Sequence, residues 1–120
     1  MAAHVLVVED SLLISSALRI LLESNGYSVT VAGTAAEAIE AASTTATDVM
    51  LLDLTLPDGD GLSVLQELRS RHATPGVTLA MTGYDDDITR ARSLAAGCAA
   101  VLVKPVPVQE LLRIISDRSA

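Results

Sequence analysis

The chain has 120 residues, half of them apolar, with no Trp or Phe and only two Tyr. This length suits one domain over residues 1–120, with a core built from aliphatic side chains. The formal net charge of -7 disfavours contact with a phosphate backbone, so we expect no direct nucleic-acid binding. No uncharged apolar run approaches the ~20 residues that cross a bilayer, so we expect no membrane insertion and a cytoplasmic location.

Strand-like and helix-like segments alternate strictly along the chain. Five short aliphatic runs have the length of buried strands: residues 4–8, 27–31, 48–53, 77–81 and 99–103. Five segments show helical spacing of apolar residues: 11–24, 34–43, 61–71, 85–96 and 107–117. This alternation predicts an α/β fold, with a doubly wound five-stranded parallel sheet, helices on both faces and the flavodoxin-like strand order 2-1-3-4-5.

Apolar spacing also predicts which helix faces are buried. In the first helix, one stripe carries Ile14, Leu18, Leu21 and Leu22, and in the fourth helix one stripe carries Ile88, Ala91 and Ala95. We expect these stripes to face the sheet.

Acidic residues end the first and third predicted strands. Glu9 and Asp10 follow the first strand, and Asp53 ends the third. In the predicted strand order these ends meet at the topological switch point, where ligands bind. Two like charges ~4 Å apart repel by roughly 4 kcal/mol at an effective dielectric near 20, so the cluster should either raise its own pKa values or recruit a cation. A few hard oxygen ligands with room for water favour Mg²⁺.

A hydroxyl and an ammonium group follow the other two strands at the same edge. Thr82 ends the fourth strand and Lys104 ends the fifth. A carboxylate nucleophile, a metal, a hydroxyl donor and a lysine together form a phosphoryl-transfer site. In such a site the metal and Lys104 can neutralise charge on the phosphoryl oxygens, and Thr82 can donate a hydrogen bond to one of them.

Four motifs together resemble the signature of response-regulator receiver domains. They are Val7-Val8-Glu9-Asp10, Leu51-Leu52-Asp53-Leu54-Thr55-Leu56-Pro57-Asp58-Gly59-Asp60-Gly61, Met81-Thr82-Gly83 and Val103-Lys104-Pro105. The resemblance implies a bacterial signalling module of a two-component system. It would accept a phosphoryl group on Asp53 from a sensor histidine kinase or a histidine phosphotransfer protein, and would catalyse only its own phosphorylation and dephosphorylation. The face formed by the fourth helix, fifth strand and fifth helix would signal to a downstream protein or output domain, from a monomer or a weak phosphorylation-dependent dimer.

The resemblance also assigns the metal ligands. Asp10 would bind Mg²⁺ directly together with Asp53, Glu9 would act mainly through water, and the backbone carbonyl of Thr55 would supply a further contact. The peptide bond between Lys104 and Pro105 would be cis.

Four positions are of special interest for regulation. Receivers usually carry Tyr or Phe where this chain has Val101, so the aromatic switch of the family is absent here. Pro105 is commonly followed by Phe, and here Val106 follows. Thr55 and Tyr84 occupy positions that tune dephosphorylation in the family, and we hypothesise that Tyr84 partly shields the phosphoryl group from water.

Other functions must be weighed against this one. A receiver-like interaction module that works without phosphate is kept open by Val101. A Toprim-like nuclease or primase core would use an Asp-x-Asp pair, which Asp58-Gly59-Asp60 mimics. This segment follows Pro57 in a loop, and we expect it to form a turn and a helix cap instead. A haloacid-dehalogenase-like phosphatase needs a second Asp where this chain has Thr55.

Overall fold

The computed structural model describes residues 3–119, so positions 1, 2 and 120 of the predicted 1–120 domain lie outside the described residues. Its main sheet has five parallel strands in the order β2-β1-β3-β4-β5. The strands are β1 (His4–Val8), β2 (Ser28–Ala32), β3 (Val49–Asp53), β4 (Val77–Thr82) and β5 (Ala100–Val103). The predicted fold class and strand order are confirmed, and each strand boundary lies within one residue of its prediction.

Helices cover both faces of the sheet. They are α1 (Leu12–Ser24), α2 (Ala35–Thr44), α3 (Leu62–Ser70), α4 (Asp87–Ala95) and α5 (Val108–Ser119). The core between the sheet and helices α1 and α5 is aliphatic and includes Leu18 and Leu111. The core between the sheet and helices α2 and α3 includes Ala38 and Leu65. Within residues 3–119, no helix combines the length and the apolar character that spanning a membrane requires.

The predicted buried face of α1 is confirmed except at one residue, whereas that of α4 is wrong. In α1, Leu18 and Leu22 are buried and Leu21 is half-buried, but Ile14 is 38 % exposed. In α4 the predicted stripe points outward, since Ile88 is 73 % exposed, Ala91 and Ala95 are also exposed, and Ser93 is the buried residue. The Ser93 hydroxyl donates a hydrogen bond to the Thr89 carbonyl, which lets a small polar residue face the sheet. The prediction missed this because it followed apolar residues only.

A short antiparallel hairpin follows β3 and is held close to the end of that strand. It pairs Thr55–Leu56 with Gly59–Asp60 and is called the 55–60 hairpin below. The amide of Gly61, the next residue, donates a hydrogen bond to the Leu54 carbonyl. A Cβ at position 61 would lie 2.2 Å from the carbonyl oxygen of Asp53. The backbone after β3 therefore requires glycine at this position.

Gly61→Ala is expected to lower the free energy of unfolding by about 3 kcal/mol, because the added methyl group collides with backbone atoms that cannot move aside cheaply. Gly83→Ala is the matched control, since a Cβ there meets nothing within 4 Å. We expect the control to change stability by less than about 0.5 kcal/mol. Urea denaturation measures both. Equal midpoints for the two variants would contradict the close approach at Gly61.

Candidate functional site

Three carboxylates meet at the carboxyl edge of the sheet. β1 and β3 are neighbours in the sheet, so Glu9 and Asp10 after β1 come beside Asp53 at the end of β3. One oxygen atom from each of these side chains lies within 4.8 Å of the other two. The predicted meeting of the three acids is confirmed, and their binding of a metal stays a prediction.

Lys104 bridges two of these acids. Its Nζ atom lies 2.8 Å from Glu9 Oε1 and 2.8 Å from Asp53 Oδ2. Both carboxylates are buried, whereas the Lys104 side chain is 25 % exposed. The ammonium group therefore compensates two negative charges that would otherwise be buried without a cation.

Burial and pairing shift the pKa values at this cluster. Burial raises the pKa of Glu9 above its ordinary value, and this effect outweighs the hydrogen bonds that Glu9 accepts from Lys104 and the Ser11 amide. Burial disfavours the charged form of Lys104, but the hydrogen bonds to Asp53 and Glu9 outweigh it and raise the pKa of Lys104. Lys104 is thus a cation throughout the neutral range.

The three carboxylates differ in how many of their oxygens are already used. Asp53 Oδ1 accepts a hydrogen bond from the Thr55 amide at 2.9 Å, and Glu9 Oε2 accepts one from the Ser11 amide at 3.1 Å. With Lys104 on the remaining oxygens, both side chains have each oxygen engaged. Asp10 is exposed, and within the described chain no donor binds its carboxylate. Asp10 is therefore the acid most open to direct metal binding.

Thr82 lies at the end of β4, and β4 is the neighbour of β3. Its side chain is buried, and its Oγ1 atom accepts a hydrogen bond from the Tyr84 amide at 3.0 Å. A hydroxyl that accepts from this amide still has its own hydrogen to donate. Thr82 can therefore donate to an oxygen atom placed at this edge of the sheet.

Three of the positions of regulatory interest have different surroundings. The side chain of Tyr84 is 68 % exposed, while Val101 is buried in the core between the sheet and the helices α2 and α3. Pro105 is exposed, and the peptide bond between Lys104 and Pro105 is cis, which confirms that prediction. The structure thus places an aliphatic side chain at position 101, within the core.

The 55–60 hairpin makes contacts that the sequence did not reveal. The sequence predicted a turn and a helix cap here, and Asp60 Oδ1 does accept a hydrogen bond from the Leu62 amide at the start of α3. In addition, Asp58 accepts hydrogen bonds from the first two backbone amides of α2, and Arg92 of α4 lies 2.7 Å from Asp60 Oδ2. These partners are far apart in sequence, so no local pattern could have shown them. The carboxylates of Asp58 and Asp60 are thus bound by helix amides and Arg92. This arrangement does not support the hypothesis that they are the metal-binding pair of a Toprim-like core.

Comparison with known proteins agrees with this fold and cluster. Residues 5–116 match the response regulator receiver domain family. KDP operon transcriptional regulatory protein KdpE of Escherichia coli is 37% identical over 108 residues, which cover 90% of this chain and 47% of that protein. The receiver domain of Pseudomonas aeruginosa sensor histidine kinase PA1611, solved with a magnesium ion coordinated in the active site cleft, has a TM-score of 0.84 at 30% identity, covering 98% of both chains.

A second solved structure is a response regulator protein from Burkholderia pseudomallei with a phosphorylated aspartic acid, calcium ion and citrate. It has a TM-score of 0.84 at 29% identity and covers 92% of this chain and 64% of that one. The chain therefore belongs to the response regulator receiver domain family of two-component signalling. It spans about half the length of the curated relatives it matches.

Proposed function

We propose that this chain is a phosphoacceptor module that takes a phosphoryl group onto Asp53 in the presence of Mg²⁺. The donor would be the phosphohistidine of a sensor histidine kinase or a histidine phosphotransfer protein. The observation that carries the proposal is the cluster itself, in which Asp53 lies beside an open carboxylate, Asp10, and is bound by Lys104. Two relatives support it, one with magnesium in its cleft and one with a phosphorylated aspartic acid.

The donor set fits Mg²⁺, since it offers only oxygen ligands and leaves Asp10 exposed to water. Asp10, Asp53 and the backbone carbonyl of Thr55 would hold the ion, with Glu9 acting through water. When bound, Mg²⁺ would neutralise negative charge on the phosphoryl oxygens. Glu9 would keep its hydrogen bonds to Lys104 and the Ser11 amide in this arrangement, which suits contact with the ion through water.

The reaction proposed for Asp53 is a direct displacement at phosphorus. A carboxylate oxygen of Asp53 forms a bond to phosphorus while the bond from phosphorus to the donor's imidazole nitrogen breaks. The electron pair of the broken bond stays on that nitrogen, and the product is an acyl phosphate. Lys104 releases Asp53 Oδ2 and binds a phosphoryl oxygen instead, and Thr82 donates its hydroxyl hydrogen to another. Hydrolysis of the acyl phosphate ends the signal.

The signal would be passed on through the face formed by α4, β5 and α5. Ile88 and Leu94 expose apolar surface on α4, which suits contact with a downstream protein or output domain. The chain would work as a monomer or as a weak dimer that depends on phosphorylation, and would act only on its own phosphoryl group.

The test is the intact mass of the protein after incubation with acetyl phosphate. With Mg²⁺ we expect one adduct of about 80 Da, the mass of a phosphoryl group. The adduct should vanish on chelation of Mg²⁺ and in Asp53→Asn, and should persist in Asp117→Asn, which removes an exposed acid of α5. No adduct, together with no response to beryllofluoride and Mg²⁺, would contradict the proposal and favour a phosphate-independent interaction module.

Tyr84→Ala is expected to shorten the half-life of phosphorylated Asp53 by about twofold or more. The backbone amide of Tyr84 binds Thr82, and we expect its exposed ring to exclude water from the phosphoryl group. Loss of the adduct over time, followed by intact mass, measures the half-life. Tyr84→Phe keeps the ring and should keep the half-life. Equal decay of Tyr84→Ala and the unmodified chain would show that the ring shields nothing.

A further inference from the structure

The 55–60 hairpin is joined directly to the acidic cluster. The Thr55 amide donates a hydrogen bond to Asp53 Oδ1, and Thr55 pairs with Asp60 across the hairpin. The Gly61 amide then binds the Leu54 carbonyl, which fixes the far end of the hairpin beside Asp53. A change in the bonding of the Asp53 carboxylate therefore acts on the backbone that carries Asp60.

The carboxylate of Asp60 is shared between two helices. Its Oδ1 atom accepts a hydrogen bond from the Leu62 amide at 3.0 Å, and its Oδ2 atom lies 2.7 Å from a guanidinium nitrogen of Arg92. Burial opposes the charge on Asp60, but the hydrogen bonds from Leu62 and Arg92 outweigh it and lower the pKa of Asp60. Asp60 therefore carries its negative charge throughout the neutral range.

α4 has few other attachments. Ser93 is its buried residue, and the preceding residues 83–86 are exposed and form no helix or strand. Within residues 3–119, Arg92–Asp60 is the salt bridge that joins α4 to another element, since Arg90 pairs with Asp85 just ahead of its own helix. A second contact lies just beyond the end of α4, where the Arg69 side chain donates a hydrogen bond to the Ala96 carbonyl at 2.7 Å. A helix with so little buried surface can shift at small free-energy cost.

We propose that the Asp60–Arg92 ion pair couples occupancy of the acidic cluster to the position of α4. The inference rests on the proposed function, because occupancy means a phosphoryl group, or its analogue beryllofluoride, on Asp53. A phosphoryl group on Oδ2 leaves Oδ1 as a neutral carbonyl oxygen, which weakens the hydrogen bond from the Thr55 amide. The hairpin then shifts, and with it Asp60 and its partner Arg92. Val101 is a buried aliphatic residue and offers no aromatic ring that could carry the same signal. The Asp60–Arg92 pair is half-exposed, so it changes the equilibrium between the two positions of α4 by about fivefold at most.

The experiment compares amide hydrogen exchange across α4 with and without beryllofluoride and Mg²⁺. In the unmodified chain, exchange in α4 should differ between the two states. Arg92→Gln should speed exchange of the free protein about two- to fivefold and remove at least about half of that difference. Arg92→Lys keeps the charge and should behave like the unmodified chain, as should Arg90→Gln, the matched control on the same helix.

Asp60→Asn provides a second, independent variant. Its amide oxygen can still accept from Leu62, so α3 keeps its cap while the charge facing Arg92 is lost. It should match Arg92→Gln, and the double variant should add nothing further. Uptake of the phosphoryl group, followed by intact mass, should be unchanged in all of these variants.

If beryllofluoride and Mg²⁺ change amide exchange in α4 as much in Arg92→Gln as in the unmodified chain, the proposed coupling is wrong, even though the adduct forms. An unmodified chain that forms no adduct would overturn the proposed function, and the coupling with it. The mass and exchange readouts thus distinguish the two failures.

Discussion

Lys104→Met is expected to lower the free energy of unfolding at pH 7 by about 3 kcal/mol, because it leaves the buried carboxylates of Glu9 and Asp53 without their shared cation. Methionine preserves most of the aliphatic length of lysine, so loss of packing contributes little. Arg19→Met removes an exposed cation of α1 and should change stability by less than about 0.5 kcal/mol. Urea denaturation without Mg²⁺ measures both variants.

The pH dependence separates charge from packing in this variant. The raised pKa of Lys104 means that its charge stabilises the fold at every pH below the ordinary lysine value, and that this stabilisation is lost only as pH rises through the raised pKa. The raised pKa of Glu9 means that the folded protein binds this proton more tightly than the unfolded chain. Its contribution to stability is therefore present in acid and is lost as pH rises through the folded value.

Without Lys104, the penalty should therefore shrink in acid, where the carboxylates are protonated, and be full at neutral pH. Mg²⁺ should restore part of the lost stability, since a divalent cation can replace the ammonium charge. A penalty that is the same at every pH and insensitive to Mg²⁺ would mean that Lys104 acts only through packing.

Asp10→Asn is expected to weaken Mg²⁺ binding by at least about tenfold and to suppress phosphoryl uptake accordingly. Asp10 is the exposed carboxylate of the cluster and has no donor bound within the described chain, so its loss removes a metal ligand without breaking an internal bond. It also removes one negative charge beside Glu9 and Asp53, so the stability of the metal-free protein should not fall. Calorimetric titration with Mg²⁺ measures the affinity.

Asp117→Asn is the charge-matched control for that titration and should bind Mg²⁺ as tightly as the unmodified chain. Equal Mg²⁺ affinity in Asp10→Asn and the control would place the ion elsewhere. The Mg²⁺-dependent adduct would then need a different explanation.

The fold could be predicted because it depends on patterns that are local in sequence. Aliphatic runs such as Val49–Asp53 mark buried strands by composition alone, and the helices between them are identified by apolar spacing. The meeting of Glu9, Asp10 and Asp53 then follows, because parallel strands bring their carboxyl ends to one edge. Lys104 follows by the same reasoning, and its bonds to Glu9 and Asp53 agree with the expected placement.

Contacts between side chains distant in sequence could not be predicted in this way. Asp58 was correctly placed in a turn, but its bonds to the α2 amides depend on how the 55–60 hairpin packs. Arg92 lies on the surface, and its partner Asp60 is 32 residues away in sequence. Ile88 points outward for a similar reason, which its spacing does not reveal. Ser93 faces the sheet instead, because its hydroxyl donates a hydrogen bond to the Thr89 carbonyl.

The most direct test of the central claim is to locate the phosphoryl group on the chain. After incubation with acetyl phosphate and Mg²⁺, borohydride reduces an aspartyl phosphate to homoserine, and peptide mass spectrometry identifies the reduced position. We predict homoserine at position 53 and at no other acidic residue. Reduction at Glu9, Asp10 or another carboxylate, or an adduct that resists borohydride, would contradict Asp53 as the acceptor.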